Sequence, residues 1–434
     1  FEMKPARRTP AQVSDDFAEL VCSNSFRGAG IEQAVGAIKE EMRVGRGHLI
    51  QLADLHQVPA GGALAVDRDA FSKAVTDVVH ATANIEVVSE EVLSLPSPQE
   101  AADVVVATGP LTSDALSRSI IELCGGRDRL YFYDAIAPII AADSVDMNIA
   151  YRASRYGKGD GDDYLNLPLD KAQYEQFVQD LLQAEYVATQ AFEEARFFEG
   201  CLPIEVMASR GPQTLRFGCM KPVGLDDPRT GRWPHAVIQL RAENRDRTAY
   251  NIVGFQTRMK WGDQRRVFRT IPGLADAEFL RMGSIHRNTY IDSPDLLDDE
   301  LRLQNHPHIR FAGQITGVEG YVESMACGLL VAWMIVARRK GQSLSAPPPT
   351  STLGALYNHV LGRDRSTASR KAGHVPSNIH WGMCPPFAER IAKKEKKRRF
   401  GERAVSDFEQ WWTPAKAKIG DGATVAPLAA RAAG

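Results

Sequence analysis

Two cysteines stand where a thiol could do chemistry. Cys22, in ELVCSNSFRGAG, lies between an apolar step and a run of small polar residues and glycines, and Cys201, in FFEGCLPIEVM, follows a glycine in a loop or at a strand start. A thiolate is the natural nucleophile for a pyrimidine ring, because addition at C6 makes C5 electron-rich enough to take a one-carbon unit. That chemistry needs a thiol together with a base or a second thiol. As residue types alone, both cysteines suit buried structural positions equally well.

Glycines mark a second kind of chemistry. VVVATGP carries Gly109, and RFAGQITGVEGYVES carries Gly313, Gly317 and Gly320, where an apolar run passes into a helix. Such turns let backbone N–H groups and a helix N-terminus approach an anion or an electron-rich ring, or simply let a strand pack close to a helix. Two of them together favour a cofactor, seated at the carboxyl ends of the strands. Glu2 follows an apolar residue in FEMKP and is of the type that bonds ribose hydroxyls at the end of a dinucleotide-binding strand. A third cluster, RMKWGDQRRVFR, interleaves Arg258, Lys260, Arg265, Arg266 and Arg269 with Trp261 and Phe268. This mixture can hold phosphates while a ring stacks on a base, and it reads equally as a solvated basic helix with a buried Trp.

Composition narrows the field. The 434 residues carry 52 Lys and Arg against 54 Asp and Glu, so an RNA partner must be met by local patches rather than by the whole-chain field. Cys22, Cys124, Cys201, Cys219, Cys327 and Cys384 are dispersed without metal-ligand spacing, which predicts reduced thiols and no metal. The absence of a G-x-S-x-G elbow, a P-loop and an H-E-x-x-H helix removes the commonest hydrolase, nucleotidase and zinc-protease readings. GLLVAWMIVA is about half the roughly 20 residues of a membrane span and reads as a buried helix. With no signal-peptide pattern, a cytoplasmic protein without membrane contact is expected.

The elements that must position these residues alternate between two textures. IEQAVGAIKEEM sets Ile31, Val35, Ile38 and Met42 at helical spacing, PAGGALAV predicts a turn and a short strand, and Asp67 can cap a helix striped by Phe71, Val75, Val78 and Val79. The β-branched run 85–88 suits a strand. Residues 104–107 form an unbroken apolar run before Gly109 and a helix, as in a parallel sheet covered on both faces. From about residue 140 polar loops appear. Asp170 and Gln173 form a capping box over a stripe of Tyr174, Phe177, Val178, Leu181 and Leu182, and short strands then alternate with turns as in an antiparallel sheet. At 309–312 the α/β texture returns, so one domain interrupts another. The tail holds a proline-rich connection, the charge run KKEKKRR, read as a solvated helix or tail, and an Ala/Gly-rich end expected to be disordered after Thr413.

Together ELVCSNS, PAGGALAVDR, ATGPLTS, SRYGKGD, FEGCLPIEVMA, RFGCMKPVGL, NIVGFQT, HRNTYI and FAGQITGVEGYVES closely resemble the folate- and FAD-dependent tRNA (uracil-5-)-methyltransferases, over residues 1–349. The resemblance implies a Rossmann-like FAD-binding domain (1–140 and 286–345), interrupted by an α+β insertion domain for tRNA and folate (141–285) and followed by a C-terminal extension (346–434). It implies methylation of uridine C5 in the T-loop of tRNA, with methylenetetrahydrofolate as one-carbon donor and NAD(P)H as reductant. Carried over, the resemblance implies that Cys201 is the nucleophile on uridine C6 and Cys22 the second catalytic thiol, with the exchanged assignment left open. Glu2, Val88, Thr108, Gly109, Gly313, Gln314, Gly317, Gly320 and Tyr321 would line the flavin. His286, Arg287 and Asn288 would face folate, and Arg258, Lys260, Arg265 and Arg266 would meet RNA. The family's opening strand and G-x-G-x-x-G turn, a piece of about 30 residues, are not in this sequence, so a longer natural polypeptide is expected. Two alternatives stay open: a flavoenzyme acting on another RNA uridine, in ribosomal RNA or at the wobble position, and an RNA-binding protein that has lost FAD.

Overall fold

The computed structural model describes residues 1–9, 11–124, 130–187, 202–363 and 374–420. The first part holds β1 (Ser25–Gly28), α1 (Ala34–Val44), α2 (His48–Leu55), β2 (Gln57–Val58), β3 (Ala63–Val66), α3 (Arg68–Ala81), β4 (Val104–Val106) and α4 (Asp114–Leu123). A middle part follows with β5 (Leu130–Ile136), β6 (Ile139–Ala141), β7 (Tyr151–Arg152), β8 (Tyr164–Leu169), α5 (Lys171–Leu182), α6 (Ile204–Ser209), α7 (Thr214–Phe217), β9 (Ala236–Ala242), β10 (Ala249–Ile252), α8 (Trp261–Phe268) and β11 (Phe279–Arg281). The last part is β12 (Ser284–Tyr290), α9 (Ser293–Leu296), β13 (Arg302–Leu303), β14 (His306–Phe311), α10 (Tyr321–Arg339), α11 (Thr352–Val360) and α12 (Lys393–Ile419).

These elements bury two large cores. One gathers residues far apart in the chain, from Leu20 to Ile120 and from Ile291 to Ile419. The other is drawn wholly from the continuous stretch between Ile140 and Ala277. In the first, β4 runs parallel to β14 (Val104 opposite Ile309), β13 pairs antiparallel on the far side of β14, and β1, β3 and β2 form a separate antiparallel sheet. In the second, six antiparallel strands run in the order β11-β6-β10-β9-β8-β7. β12 pairs antiparallel with β5.

Local signals hold well. Asp67 accepts the Ala70 N–H at 3.0 Å to start α3, and Asp170 with Gln173 forms the reciprocal capping box of α5. α10, the one helix among the described residues long and apolar enough to cross a membrane, is a core helix whose Val322, Ala326, Leu330, Val331 and Ala337 are buried.

Other expectations are corrected. The run 85–88 forms no strand: its Ile85 N–H turns back to the Thr82 carbonyl (3.0 Å), its Val88 carbonyl accepts the Glu2 and Glu90 N–H groups (3.0 and 3.1 Å), and Ile85 is exposed. A β-branched run makes a strand only when a neighbour supplies a ladder. Among the described residues parallel strand pairing is limited to β4 with β14, and Val105 faces outward from it. Leu182 lies off the buried stripe of α5 and is exposed. The tail does not loosen at Thr413, because α12 continues through Pro414 to Ile419. Its stripe of Phe400, Ala404, Phe408, Trp412, Ala415 and Ile419 is buried, with the Trp412 ring 4.5 Å from that of Trp333 on α10, while its first turns, the charge run, stay exposed.

Candidate functional site

A cleft of ≈ 610 Å³ opens at the carboxyl ends of β4 and β14, the position at which parallel strands present ligands. Its walls come from Glu2 to Lys4, the start of α2, Phe71 of α3, the turn 107–111 after β4, the turn 312–314 after β14, and Tyr321, Ser324, Met325, Gly328 and Leu329 of α10. The lining is mostly apolar, with Met42, Leu49, Ile50, Phe71, Leu111 and Met325 suited to a flat ring.

The residues present fit a flavin nucleotide. Gly109 and Gly328 both line the cleft, and a Cβ at either would meet no protein atom within 4 Å, so the space a side chain would occupy is the cleft itself. Gly109 (φ +67°) and Gly313 (φ +76°) also hold the left-handed turns that bring backbone to the rim. α2 begins at the rim with Gly47 and no side-chain cap, so its first N–H groups remain available to an anion.

Of the residues expected at the flavin, Glu2, Thr108, Gly109, Gly313, Gln314 and Tyr321 line this cleft. The Glu2 carboxylate accepts the Lys4 N–H (3.1 Å), and the Gln314 amide donates to Glu319 (2.7 Å). Val88 is not part of the lining and acts one step back, through its carbonyl on Glu2. Gly317 and Gly320 are not in the cleft wall either. A Cβ at Gly317 (φ +86°) would overlap the His374 ring, and one at Gly320 (φ +103°) would press on Glu323 and Asn378. Both glycines are there for the packing of segment 374–378 against the start of α10.

Cys22 sits beside the cleft on Tyr321. The tyrosine hydroxyl donates to the Cys22 sulfur (3.1 Å) and accepts the Cys22 backbone N–H (2.8 Å), so one ring both lines the cleft and holds the thiol. Burial, with the neighbouring thiol, pushes the Tyr321 hydroxyl well above the usual phenol range, so its proton stays in place. The residues after Cys22 are clamped by the second core: Arg241 on β9 donates to Ser23 Oγ (2.7 Å) and Asn24 Oδ1 (2.9 Å), and the Asn24 amide donates to the carbonyls of Val66 and Ala242 (2.8 and 2.9 Å). Arg68, at the start of α3, pairs with Glu243 (2.7 Å) across the same seam. Sequence reasoning missed Arg68, Arg241 and Glu243, for no periodicity or motif links residues so far apart.

Cys201 lies outside the described residues. Just beyond it, Leu202 is buried and α6 begins, and Glu205 on that helix accepts the Thr257 hydroxyl and the Arg258 N–H, both at 2.9 Å. Burial raises the Glu205 carboxyl above its ordinary range. Arg258 is thus tied to the segment that follows Cys201, with its guanidinium over the Tyr186 ring (5.1 Å). Lys260 pairs with Glu185 (2.7 Å), Arg265 and Arg266 are exposed on α8, and Trp261, read in one alternative as buried, is 63% exposed beside them. His286, Arg287 and Asn288 lie on β12 opposite Asp134, Tyr133 and Phe132. Asn288 is buried, and its Nδ2 finds no hydrogen-bond partner among the described residues.

A family described as "Glucose inhibited division protein A" matches residues 9–343. Two crystal forms of GidA from Aquifex aeolicus superpose with TM-scores of 0.62 and 0.63 at 14% identity, covering 92% of this chain and 69% and 71% of theirs, which shows a shared α/β fold. Proteins named methylenetetrahydrofolate--tRNA-(uracil-5-)-methyltransferase TrmFO are far nearer in sequence. Those of Geobacter sulfurreducens, Geotalea uraniireducens and Myxococcus xanthus are 52%, 54% and 53% identical over 94% of this chain and 92%, 92% and 88% of their own lengths. A cleft built for a flavin with a thiol at its edge, and identity sustained over nearly the whole length, lead to one conclusion: the chain belongs to the family of the methylenetetrahydrofolate--tRNA-(uracil-5-)-methyltransferases.

Proposed function

We propose that this chain methylates uridine at C5 in the T-loop of tRNA, using FAD, methylenetetrahydrofolate and NAD(P)H. The observation that carries the reading is the double role of Tyr321, which lines the flavin-sized cleft and bonds Cys22, so that a thiol and a cofactor site share one side chain. Identity of 52–54% with proteins named as tRNA (uracil-5-)-methyltransferases supports this activity.

In this reading residues 1–140 and 286–345 form a Rossmann-like FAD domain, and 141–285 form an insertion that meets tRNA and folate. Bound flavin, once reduced, supplies the electron pair that brings a methylene-level carbon down to methyl. The chain's own residues do the rest. Glu2 offers its carboxylate to the ribose, the turns at Gly109 and Gly313 bring backbone close to the ring system, and the first turn of α2 takes phosphate. Cys201 adds its sulfur to uridine C6, which makes C5 the nucleophile. After the carbon is attached, the C5 proton is removed and the C6–S bond breaks, returning the thiolate. Cys22, held on Tyr321 at the cleft, serves as the second thiol in proton transfer. Arg258, Lys260, Arg265 and Arg266 hold the RNA backbone, with exposed Trp261 available to a base, and His286, Arg287 and Asn288 on β12 face folate.

The test is transfer of labelled carbon from methylenetetrahydrofolate into a tRNA transcript in the presence of FAD and NADPH. Label is expected in 5-methyluridine of the T-loop with the unchanged chain, and none with Cys201→Ala. Label at another uridine would move the target, and full activity of Cys201→Ala would remove that residue's role.

A further inference from the structure

The surroundings of Cys22 are biased toward negative charge on its sulfur. A tyrosine hydroxyl has one proton, and Tyr321 directs it at Cys22 Sγ (3.1 Å) while its oxygen is engaged by the Cys22 N–H (2.8 Å). The sulfur is therefore an acceptor in this bond, a role a thiolate fills far better than a thiol.

Charge converges on the same atom from separate elements. Arg68 on α3, Arg241 on β9 and Arg281 on β11 all interact electrostatically with the Cys22 thiol. Against them stand Glu243, paired with Arg68 at 2.7 Å, and Glu19, which also faces Lys4 at 3.9 Å. Among the described residues three guanidinium groups stand against two carboxylates here, and the cluster is withdrawn from water, with Arg241 at 6% and Glu243 at 5% exposure. Arg68 gives Nε to Glu243 and sets Nη2 2.7 Å from the same carboxylate, while its Nη1 and the Glu243 Oε1 are buried without a hydrogen-bond partner among the described residues. A buried surplus of guanidinium charge beside a thiol favours the ionised sulfur. Other thiols have the opposite setting. Burial pushes Cys219 and Cys384 up to about 12 and raises Cys327 as well.

We propose that Cys22 rests as a thiolate at neutral pH and that Arg68 is the positioning residue that keeps it so, aided by the Tyr321 hydroxyl. The proton lost from Cys22 goes to solvent, and no oxidant or reductant is involved. The inference deepens the proposed role of Cys22 but concerns ionisation alone, so it stands or falls apart from methyl transfer.

The experiment is the rate of Cys22 carboxamidomethylation by iodoacetamide as a function of pH, followed on the Cys22 peptide by mass spectrometry in the full chain. The inflection is expected clearly below the about 8.5 of an ordinary thiol. Arg68→Met should raise it by about one unit or more, which is about tenfold slower alkylation at the acidic end, while Arg68→Lys keeps most of the shift and Tyr321→Phe raises it less. Should Arg68→Met not fold, Arg281→Gln read the same way, and the thiolate ultraviolet absorbance of the unchanged chain minus that of Cys22→Ser, keep the question answerable. An inflection near that of an ordinary thiol overturns the proposal. So does the same low inflection with and without the Arg68 charge. Retained low inflection in a chain that transfers no methyl group would leave this inference standing and remove the functional reading.

Discussion

The two cores solve the same problem by different means. The second is cut from one continuous stretch, and its antiparallel strands find partners close by in the chain, so apolar alternation and caps suffice to assemble it. The first must hold together segments from opposite ends of the sequence, and it does so with buried polar clamps. Lys39 on α1 donates to the carbonyls of Phe26, Arg27 and Gly28, and Glu41 on the same helix accepts from Thr352 N, Thr352 Oγ1 and Leu353 N at the start of α11, each at 2.7 Å. Both side chains have 0% exposure. Glu323 on α10 likewise accepts Arg27 and the Ile379 N–H. A discontinuous core gains specificity from such clamps, because apolar contact alone does not say which distant segment belongs where.

The sharpest way to break the comparison is to cut a clamp. Glu41→Ala leaves buried donors at the head of α11 without an acceptor and should cost about 4 kcal/mol in chemical denaturation. Asp170→Ala, which opens the solvent-facing cap of α5 in the second core, should cost about 1 kcal/mol. Equal losses would erase the distinction. The same clamp should give the first core a pH dependence. Burial raises the Glu41 carboxyl from 4.5 to about 7, so the folded state binds its proton more tightly than the unfolded chain does. That stability is fully present below pH 4.5 and is lost as pH rises to about 7, an amount of roughly 3 kcal/mol. Denaturation midpoints of the parent and of Glu41→Gln across this window measure it, and the slope should be absent in the variant.

Glycines sharpen the contrast within the first core. Gly317→Ala meets His374 in a left-handed turn and should lose about 2–3 kcal/mol of stability. Gly109→Val projects into the open cleft, so it should lose only about 1–2 kcal/mol for its positive φ but bind FAD at least about tenfold more weakly by fluorescence titration. If Gly317→Ala loses FAD first, the assignment of these two glycines is reversed. The smallest effect on stability belongs to the surface of the second core. Lys260→Ala with Arg265→Ala should change stability by less than about 0.5 kcal/mol, yet weaken tRNA binding and flatten its dependence on salt.

What could be read from the sequence follows the same division. The Asp67 cap, the Asp170–Gln173 box, the apolar run of α10 and the turns at Gly109 and Gly313 are local, so the sequence displays them directly. The run 85–88 looked like a strand because β-branching is local, while the ladder it lacks is not. Leu182 follows the α5 stripe in sequence but turns outward at the helix end. Gly317 and Gly320 share a motif with Gly313, and only the His374–Asn378 segment, distant in sequence, gives them a different purpose. Cys22 was legible as a thiol in a distinctive motif. Its setting was not, since Arg68 and Glu243 stand 175 residues apart and Cys22 and Tyr321 stand 299 apart.

The docking of α12 against α1 and α10 has a consequence for biosynthesis. α1 leaves the ribosome well before α12, the last of the described helices, which supplies part of its partner surface. The second core, being continuous, can close while synthesis goes on. The first must wait, with the stripe of α1 and the Trp333 side of α10 uncovered, until the helix carrying Phe408 and Trp412 arrives. The cleft between α2, α3 and α10 therefore takes its final shape only once α12 has been made, so cofactor capture follows the synthesis of that helix.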